Sequence, residues 1–349
     1  MYKMKQKNIA LVLGDPRLSD FVKKGGKFNQ EDIETVDVLK GALNLLEGYN
    51  FEYLDNHANL LRDLRKLAKR EVDYVVNFCD EGLHNNPLRE KDVPEALEKC
   101  GLPYTGAGPK CLKLCYDKSA VKQVAWENRV PVSKGFLVRS DGDLNLRAKF
   151  PLFVKPNYGD GSFAISDASV VSSYDELSRQ VEFVRKRLKD AGHKAHVLVE
   201  EFLPGDELSA AIIGNYPKLD VRLIQEDLDV LTKGQKIIGH DAKWNPDSEG
   251  WNKLVSIKPK ISASLQQTIK DYSARLFEVL GCRDYARFDW RLDKEGQPKL
   301  MEANPNCGWC YGGHLTKAFS LGSPESPERK YASVLEKILH AAEERFRRI

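Results

Sequence analysis

Three stretches of the chain carry residue types suited to phosphate chemistry, and the most informative lies late in the sequence. In Arg287-Phe288-Asp289-Trp290 and Met301-Glu302-Ala303-Asn304, alternation along extended segments puts Arg287 and Asp289 on one face and Phe288 and Trp290 on the other. Glu302 and Asn304 share a face in the same way. Asp293-Lys294-Glu295-Gly296 between the segments reads as a hairpin turn, so Asp289 and Glu302 fall in adjacent or diagonal positions. Two carboxylates that close repel unless a cation lies between them. Oxygen-only ligands at that spacing suit Mg²⁺ bridging to phosphate oxygens. The plain alternative is a surface hairpin whose acids pair with Arg287. The aromatic face, which implies a covered sheet, weighs against it.

The second stretch is Phe150-Pro-Leu-Phe-Val-Lys155-Pro-Asn-Tyr-Gly159-Asp-Gly161-Ser162, an apolar strand ending in a lysine and a flexible turn. Backbone N–H groups in such a turn can cradle phosphates, with the lysine as a point charge. An ordinary glycine hairpin explains it equally well, and no Gly-Lys-Ser/Thr follows to make it a Walker loop. The third stretch, Val197-Leu-Val-Glu200-Glu201-Phe202-Leu203-Pro-Gly-Asp-Glu207, could offer a strand edge to adenine and Glu207 to a ribose. Taken alone it is better read as a solvent-facing turn. Cys307-Gly308-Trp309-Cys310 has the spacing of a redox motif, but it follows the acidic hairpin instead of opening a thioredoxin-like helix, so its thiols read as incidental. Cys111 and Cys115, one helical turn apart, have no partner pair at zinc spacing.

The elements that must position these residues follow from periodicity. Asn8 to Leu13, Phe51 to Leu54 and Val72 to Phe78 read as strands, with helices over 31–46 and 59–69 between them. That order implies a small parallel sheet, with ligands expected at its carboxyl ends. Those ends carry Gly14-Asp15-Pro16-Arg17 and Cys79-Asp80-Glu81-Gly82-Leu83-His84-Asn85-Asn86. A helix is expected over Pro109–Asn128, a charged helix over Tyr174–Ala191, antiparallel strands from His196 onward, and a closing helix over Lys330–Phe346. The expected units are 1–108, 109–195 and 196–349.

With 349 residues, 42% apolar and 30% charged, the composition is that of a globular enzyme with two or three packed units. Lys+Arg 54 against Asp+Glu 51 leaves +3, which argues against a nucleic-acid binder. No segment approaches the ~20 apolar residues of a membrane span. Seven scattered cysteines suit reduced thiols in a cytoplasm.

Taken in order, Lys118, Lys155 with its glycine loop, Glu200 to Glu207, Lys243, Arg287-Phe-Asp289 and Glu302-Ala-Asn304 resemble an ATP-grasp enzyme, nearest to the D-alanine–D-alanine ligases. The resemblance runs from about Pro103 to Ala342. It implies an α/β three-subdomain ATP-grasp fold, α+β in its ATP-grasp lobes, behind an N-terminal parallel α/β domain. It implies Lys118 and Lys155 on ATP phosphates, with the loop holding Gly159, Gly161 and Ser162 folded over them. It further implies Glu200, Glu201, Phe202 and Leu203 around adenine, and Glu207 on the ribose. Asp289, Glu302 and Asn304 would bind two Mg²⁺ or Mn²⁺ ions. Lys243 would reach the terminal phosphates, Arg287 would stabilise the transferring phosphoryl group, and a Gly308 N–H would face the tetrahedral intermediate.

The implied activity is ATP-dependent ligation of a carboxylate to an amine through an acyl phosphate. The partners are small molecules, with neither nucleic acid nor membrane, and a homodimer is compatible with this reading. The substrate stretches of that family do not recur. Their Gly-Gly-x-Ser-x-Glu segment is here Leu13-Gly-Asp-Pro-Arg-Leu-Ser, and their His-Gly-x-x-Gly segment is Cys79-Asp-Glu-Gly-Leu-His. Two D-alanines are therefore not the expected substrates. Asp15, Arg17, Glu81, His84, Asn85 and Arg89 are the candidates for binding amino-acid-like substrates. The rival readings are a true D-alanine–D-alanine ligase and an ATP-binding regulator without turnover.

Overall fold

The computed structural model describes residues 6–348 apart from 21–22, 140–143, 145–146, 148, 160, 232–235 and 246; the side chains of Lys24, Lys243 and Trp244 also lie outside the description. At the N-terminus, β1 (Lys7–Val12), α1 (Gln30–Leu43), β2 (Tyr49–Leu54), α2 (Leu60–Leu67) and β3 (Tyr74–Asn77) form a parallel sheet ordered β2-β1-β3, followed by α3 (Asp92–Lys99). Asn29 fixes the start of α1 through a reciprocal capping box with Asp32. The inner strands are apolar on both faces because both are covered. Ile9, Leu11, Tyr74 and Val76 pack toward α1, while Ala10, Val12 and Val75 pack toward α2 and α3.

The next segment departs from the expected single helix over 109–128. It breaks into α4 (Pro109–Cys115) and α5 (Lys118–Glu127). Asp117 is the cause: its backbone is extended (φ −102°, ψ 99°) and its carboxylate accepts the Ala120 N–H at 3.0 Å. A residue that caps one helix cannot sit inside another. The chain continues through β4 (Gly135–Val138), β5 (Leu152–Pro156), β6 (Val170–Val171), α6 (Tyr174–Asp190) and β7 (Val197–Glu201). These strands make an antiparallel sheet ordered β4-β7-β5-β6, with Leu177, Val181, Val184 and Leu188 of α6 packed on Val154, Val197 and Val199. The sequence starts its third unit near His196; the ladders to β4 and β5 instead place β7 in this central sheet.

The remainder comprises β8 (Glu207–Asn215), β9 (Lys218–Glu226), α7 (His240–Trp244), α8 (Glu249–Lys253), β10 (Ser256–Ile257), α9 (Ala263–Val279), β11 (Tyr285–Leu292), β12 (Pro298–Asn304), α10 (His314–Ser320) and α11 (Pro327–Phe346). Its antiparallel sheet is ordered β10-β9-β8-β11-β12. Phe288 and Trp290 are fully buried in a cluster with α4, α5 and α9, and the Trp290 indole N–H donates to Ser273 Oγ at 3.0 Å. That leaves the opposite face of β11 for Arg287 and Asp289. No helix among the described residues is long and apolar enough to cross a membrane.

The N-terminal and C-terminal sheets share one core, in which α11 packs Tyr331, Leu335 and Ile338 against Ile9, Tyr74 and Ile213. A buried carboxylate pins this junction. Asp284 accepts from Arg345 at 2.9 and 2.7 Å, from the Gly106 N–H at 2.8 Å and from Asn215 at 2.9 Å. Removing one partner of a buried ion pair strands the other charge. Asp284→Ala is expected to cost about 3–5 kcal/mol, read as a lowered midpoint in urea denaturation. A midpoint like that of the unsubstituted protein would contradict this.

Candidate active site

The nucleotide-type residues gather where the central sheet meets the C-terminal one. Asn157, fully buried, accepts the Lys118 N–H on its carbonyl at 3.0 Å and the Ser119 N–H on its side chain at 3.0 Å. Its amide donates to Asp117 at 2.9 Å. The start of α5 is thereby tied to the end of β5, and Lys118 stands beside the glycine loop, donating to the Gly159 carbonyl. Lys155 ends β5 and lies 2.8 Å from Glu200 Oε2. The other Glu200 oxygen takes Lys122 at 2.6 Å and the Ser133 hydroxyl at 2.8 Å. Burial pushes the Glu200 carboxyl up, but the two lysines more than reverse this and bring it down to about 2. Burial pushes Lys122 down to about 8, against the pull of Glu200, so it stays protonated at neutral pH.

The acidic hairpin forms with Asp289 directly opposite Glu302 and Arg287 opposite Asn304, followed by a register shift between Asp289 and Trp290. Four side-chain donors surround the Asp289 carboxylate. Arg287 reaches it at 2.8 and 2.9 Å, Ser209 at 2.8 Å and the Asn304 amide at 3.0 Å. The pairing of Asp289 with Arg287, the sequence's plain alternative, is thus present within the covered sheet. Burial lowers the Arg287 pKa and the Asp289 charge more than restores it, so the guanidinium stays charged. Lys118 Nζ is 3.4 Å from Glu302 Oε1, joining the lysine group to the hairpin. No group of three or more His, Cys, Asp or Glu residues suited to a metal occurs among the described residues. The donor set here is two carboxylates and an amide, which fits a cation that completes its shell with phosphate oxygens.

Between the two sheets, Phe202 to Asp206 crosses as a strap. Gly205 lies so close to β11 that a Cβ there would sit 2.7 Å from Leu292 Cβ. Glu201 accepts the Lys134 N–H at 3.0 Å, and Leu203 is buried. Glu207 opens β8 opposite Arg291 and receives its guanidinium at 3.1 Å, while the same guanidinium lies 5.6 Å from the Phe202 ring centroid. In the glycine loop, Gly159, Gly161 and Ser162 all have positive φ, and the Ser162 hydroxyl donates to the Ile238 carbonyl at 3.2 Å. His240 N–H donates to the Ile165 carbonyl at 2.9 Å, which brings α7, bearing Lys243, against the loop. The Lys243 side chain itself lies outside the described residues.

The N-terminal candidates divide. Asp15 and Asn85 are buried and engaged with their own loops: Asn85 accepts the Asp15 N–H at 2.9 Å and donates to its carbonyl at 2.7 Å. Asp15 further accepts from Arg17 at 2.6 Å and from the His57 N–H at 2.8 Å. His84 donates its N–H to His57 at 2.8 Å, and Arg89 pairs with Asp92 at 2.8 Å on the turn before α3. These contacts shape the loops. Asp80 and Glu81 differ. Glu81 lies over Gly14, where a Cβ would meet its carboxylate at 2.6 Å, and its Oε2 is buried without a hydrogen-bond partner among the described residues. Asp80 Oδ2 lies 3.7 Å from the place a Cβ on Gly308 would take. Burial, then Glu81, hold the Asp80 carboxyl well above its usual range, with Lys23 opposing.

Sequence reasoning missed Lys122, Ser133, Ser209 and Arg291. Lys122 follows Lys118 by four positions, a spacing that puts both on one helix face. That was the available signal.

Two antiparallel sheets that bring lysines, a glycine loop and an acidic hairpin to their shared edge define the ATP-grasp class. A family model for the D-ala D-ala ligase C-terminus matches residues 139–320. Uncharacterized protein y4sG of Sinorhizobium fredii is 30% identical over 290 residues, covering 79% of this chain and 76% of that protein. The D-alanine–D-alanine ligase of Carboxydothermus hydrogenoformans is 25% identical over 292 residues, covering 80% and 85%. The crystal structure of a Bacillus anthracis D-alanine–D-alanine ligase complexed with ATP aligns with a TM-score of 0.68 at 19% identity, over 97% of this chain and 99% of that one. The chain belongs to the D-alanine–D-alanine ligase family and is an ATP-dependent ligase.

The thiols near the site are not poised for redox work. Burial pushes Cys307 up to about 12, against the pull of Arg287, and raises Cys310 as well. A reactive cysteine needs a lowered pKa. Native protein at pH 8 is expected to resist iodoacetamide at both positions, as read by mass spectrometry, and to react once unfolded. Fast native labelling of either would overturn this.

Proposed function

We propose that the protein joins the carboxylate of one amino-acid-like molecule to the amine of another, neither pair being two D-alanines. ATP transfers its γ-phosphoryl group to a carboxylate oxygen and leaves as ADP. The amine nitrogen attacks the carbonyl carbon of the acyl phosphate, loses a proton, and phosphate departs with the C–O bond electrons. The observation that carries this reading is the single face shared by Arg287, Asp289, Glu302 and Asn304, with Lys118 3.4 Å from Glu302. It supports phosphoryl transfer between a cationic and an acidic group of side chains.

In this reading Lys118 and Lys155 take ATP phosphates under the loop of Gly159, Gly161 and Ser162. Glu200 to Leu203 border the adenine, Glu207 takes the ribose hydroxyls, and Lys243 closes over the terminal phosphates. Asp289, Glu302 and Asn304 would hold Mg²⁺ or Mn²⁺, two ions in all, which supply positive charge against the phosphate oxygens. Arg287 then leaves Asp289 to meet the transferring group, where its planar fork suits three equatorial oxygens. The Gly308 N–H donates to the oxyanion of the intermediate.

The substrate end rests on Asp80 and Glu81. Two acids pressed together, with Lys23 3.8 Å from one Glu81 oxygen and the other oxygen buried without a partner among the described residues, fit a further ammonium group better than a carboxylate. Arg17 and His84 line the same loops. The test is ATP-dependent phosphate release over a panel of amino acids and dipeptides, with products identified by mass spectrometry. Release with a mixed pair supports the proposal; efficient D-alanyl-D-alanine from D-alanine alone overturns the substrate reading. Glu302→Gln should abolish turnover with the fold intact, and full activity in excess chelator would sink the metal assignment. Glu81→Gln should raise the KM of the amine substrate about tenfold or more and leave the KM for ATP unchanged. An unchanged amine KM would return Glu81 to a loop role.

A further inference from the structure

Lys122 is as deeply buried as Lys118 and Lys155. Its ammonium has three N–H donors. They meet Glu200 Oε1 at 2.6 Å, Ser133 Oγ at 2.8 Å and the Leu300 carbonyl at 2.9 Å, so the protein uses all of them. Lys155 differs. Among the described residues its Nζ has one partner, Glu200 Oε2 at 2.8 Å, which leaves two donors to spare.

Charge separates the two lysines further. With Lys122 present, two lysines share one carboxylate, so Glu200 does not balance both. With Lys122 gone, Glu200 and Lys155 would cancel as a simple pair, and Glu200 would pull Lys155 back. The Leu300 contact adds a geometric constraint. Leu300 lies on β12, two residues before Glu302, and its N–H takes the Pro131 carbonyl at 2.9 Å. The Lys122 ammonium therefore holds the central sheet, through Glu200, to the strand that bears the acidic hairpin.

We propose that Lys122 is a positioning residue for the nucleotide: it offsets the Glu200 charge and so leaves Lys155 with donors for ATP. The proposal rests on the reading of Lys155 as nucleotide-facing, and its test separates the two.

The experiment titrates a non-hydrolysable ATP analogue with Mg²⁺ into the full-length protein and its variants Lys122→Met, Lys155→Met and the double variant. Lys122→Met is expected to weaken binding on the order of tenfold. Because Lys122 acts through Lys155, the double variant should bind no more than a few-fold more weakly than Lys155→Met alone. In steady state the loss should appear in the KM for ATP and not in the KM for the amine. A merely structural lysine would give additive losses or a general fall in both constants, and either result overturns the proposal. So does unchanged affinity in Lys122→Met. If Lys122→Met fails to fold, Lys122→Gln, which keeps a polar head, is read by the same cycle. If Lys155→Met itself leaves affinity unchanged, the nucleotide reading of Lys155 fails, and the role of Lys122 with it.

Discussion

A carboxylate taken out of water must be matched by donors, and the buried Glu200 carboxylate sets much of this molecule's geometry. It sits at the end of β7 and is held by Lys155 from β5, Lys122 from α5 and Ser133 from the linker ahead of β4. None of these four groups is costly only because the others are present. The matching forces α5 to lie against the central sheet with Lys118 at its start. Through the Leu300 carbonyl it also fixes the distance between that sheet and β12. Two further carboxylates act in the same way. Asp284 joins the N-terminal unit to α11, and Asp289 joins β8, β11 and β12. Glu200 and Asp284 connect separate parts of the fold at buried charges, while Asp289 ties three strands of one sheet together.

The same pairing gives the site a resting arrangement. Asp289 is saturated by Arg287, Ser209 and Asn304, and Ser209 also contacts His314 Nδ1 at 3.0 Å. His314 in turn lies 3.5 Å from Glu226. In the proposed reading Arg287 would leave Asp289 to serve the transferring phosphoryl group, and a cation held by Asp289 would replace the charge it gives up. The short polar chain behind Asp289, through Ser209, His314 and Glu226, would hold the carboxylate in place. Glu207 and Arg291 form a comparable pair at the other end of β11, beside Phe202.

What was legible in the sequence is what strand periodicity dictates. The hairpin of β11 and β12 and the burial of Phe288 and Trp290 follow from a period of two and the turn between them; that period left Asp289 and Glu302 adjacent or diagonal, and the ladder sets them directly opposite. The helix break at Asp117 did not follow from it. Apolar spacing continues through 109–128, and only the cap reveals that the backbone turns there. Lys122 was invisible for a related reason. A lysine four residues after another reads as a solvated helix face, and only tertiary packing shows that this face is interior. The His196 boundary failed because β7 resembles the strands after it in composition, while its ladder partners β4 and β5 lie earlier in the chain.

The N-terminal loops show where such reading ends. Asp15 and Asn85 have the residue types of substrate ligands, yet their polar atoms are taken by one another and by His57 and Arg17. No periodicity governs a loop, so which polar groups point inward depends on contacts between segments about 70 positions apart. One local signal does survive. Gly14 carries no Cβ, and Glu81 occupies the space that one would need. Any other residue at position 14 would displace that carboxylate. Gly308 is under no such constraint, since a Cβ there would stand 3.7 Å from Asp80 Oδ2, an ordinary contact. Gly14 thus lets Glu81 stand over the carboxyl end of β1. In the proposed reading the ATP end lies on regular strands and the substrate end on these loops, an arrangement that would let one scaffold keep its phosphoryl chemistry while the molecule it ligates changes.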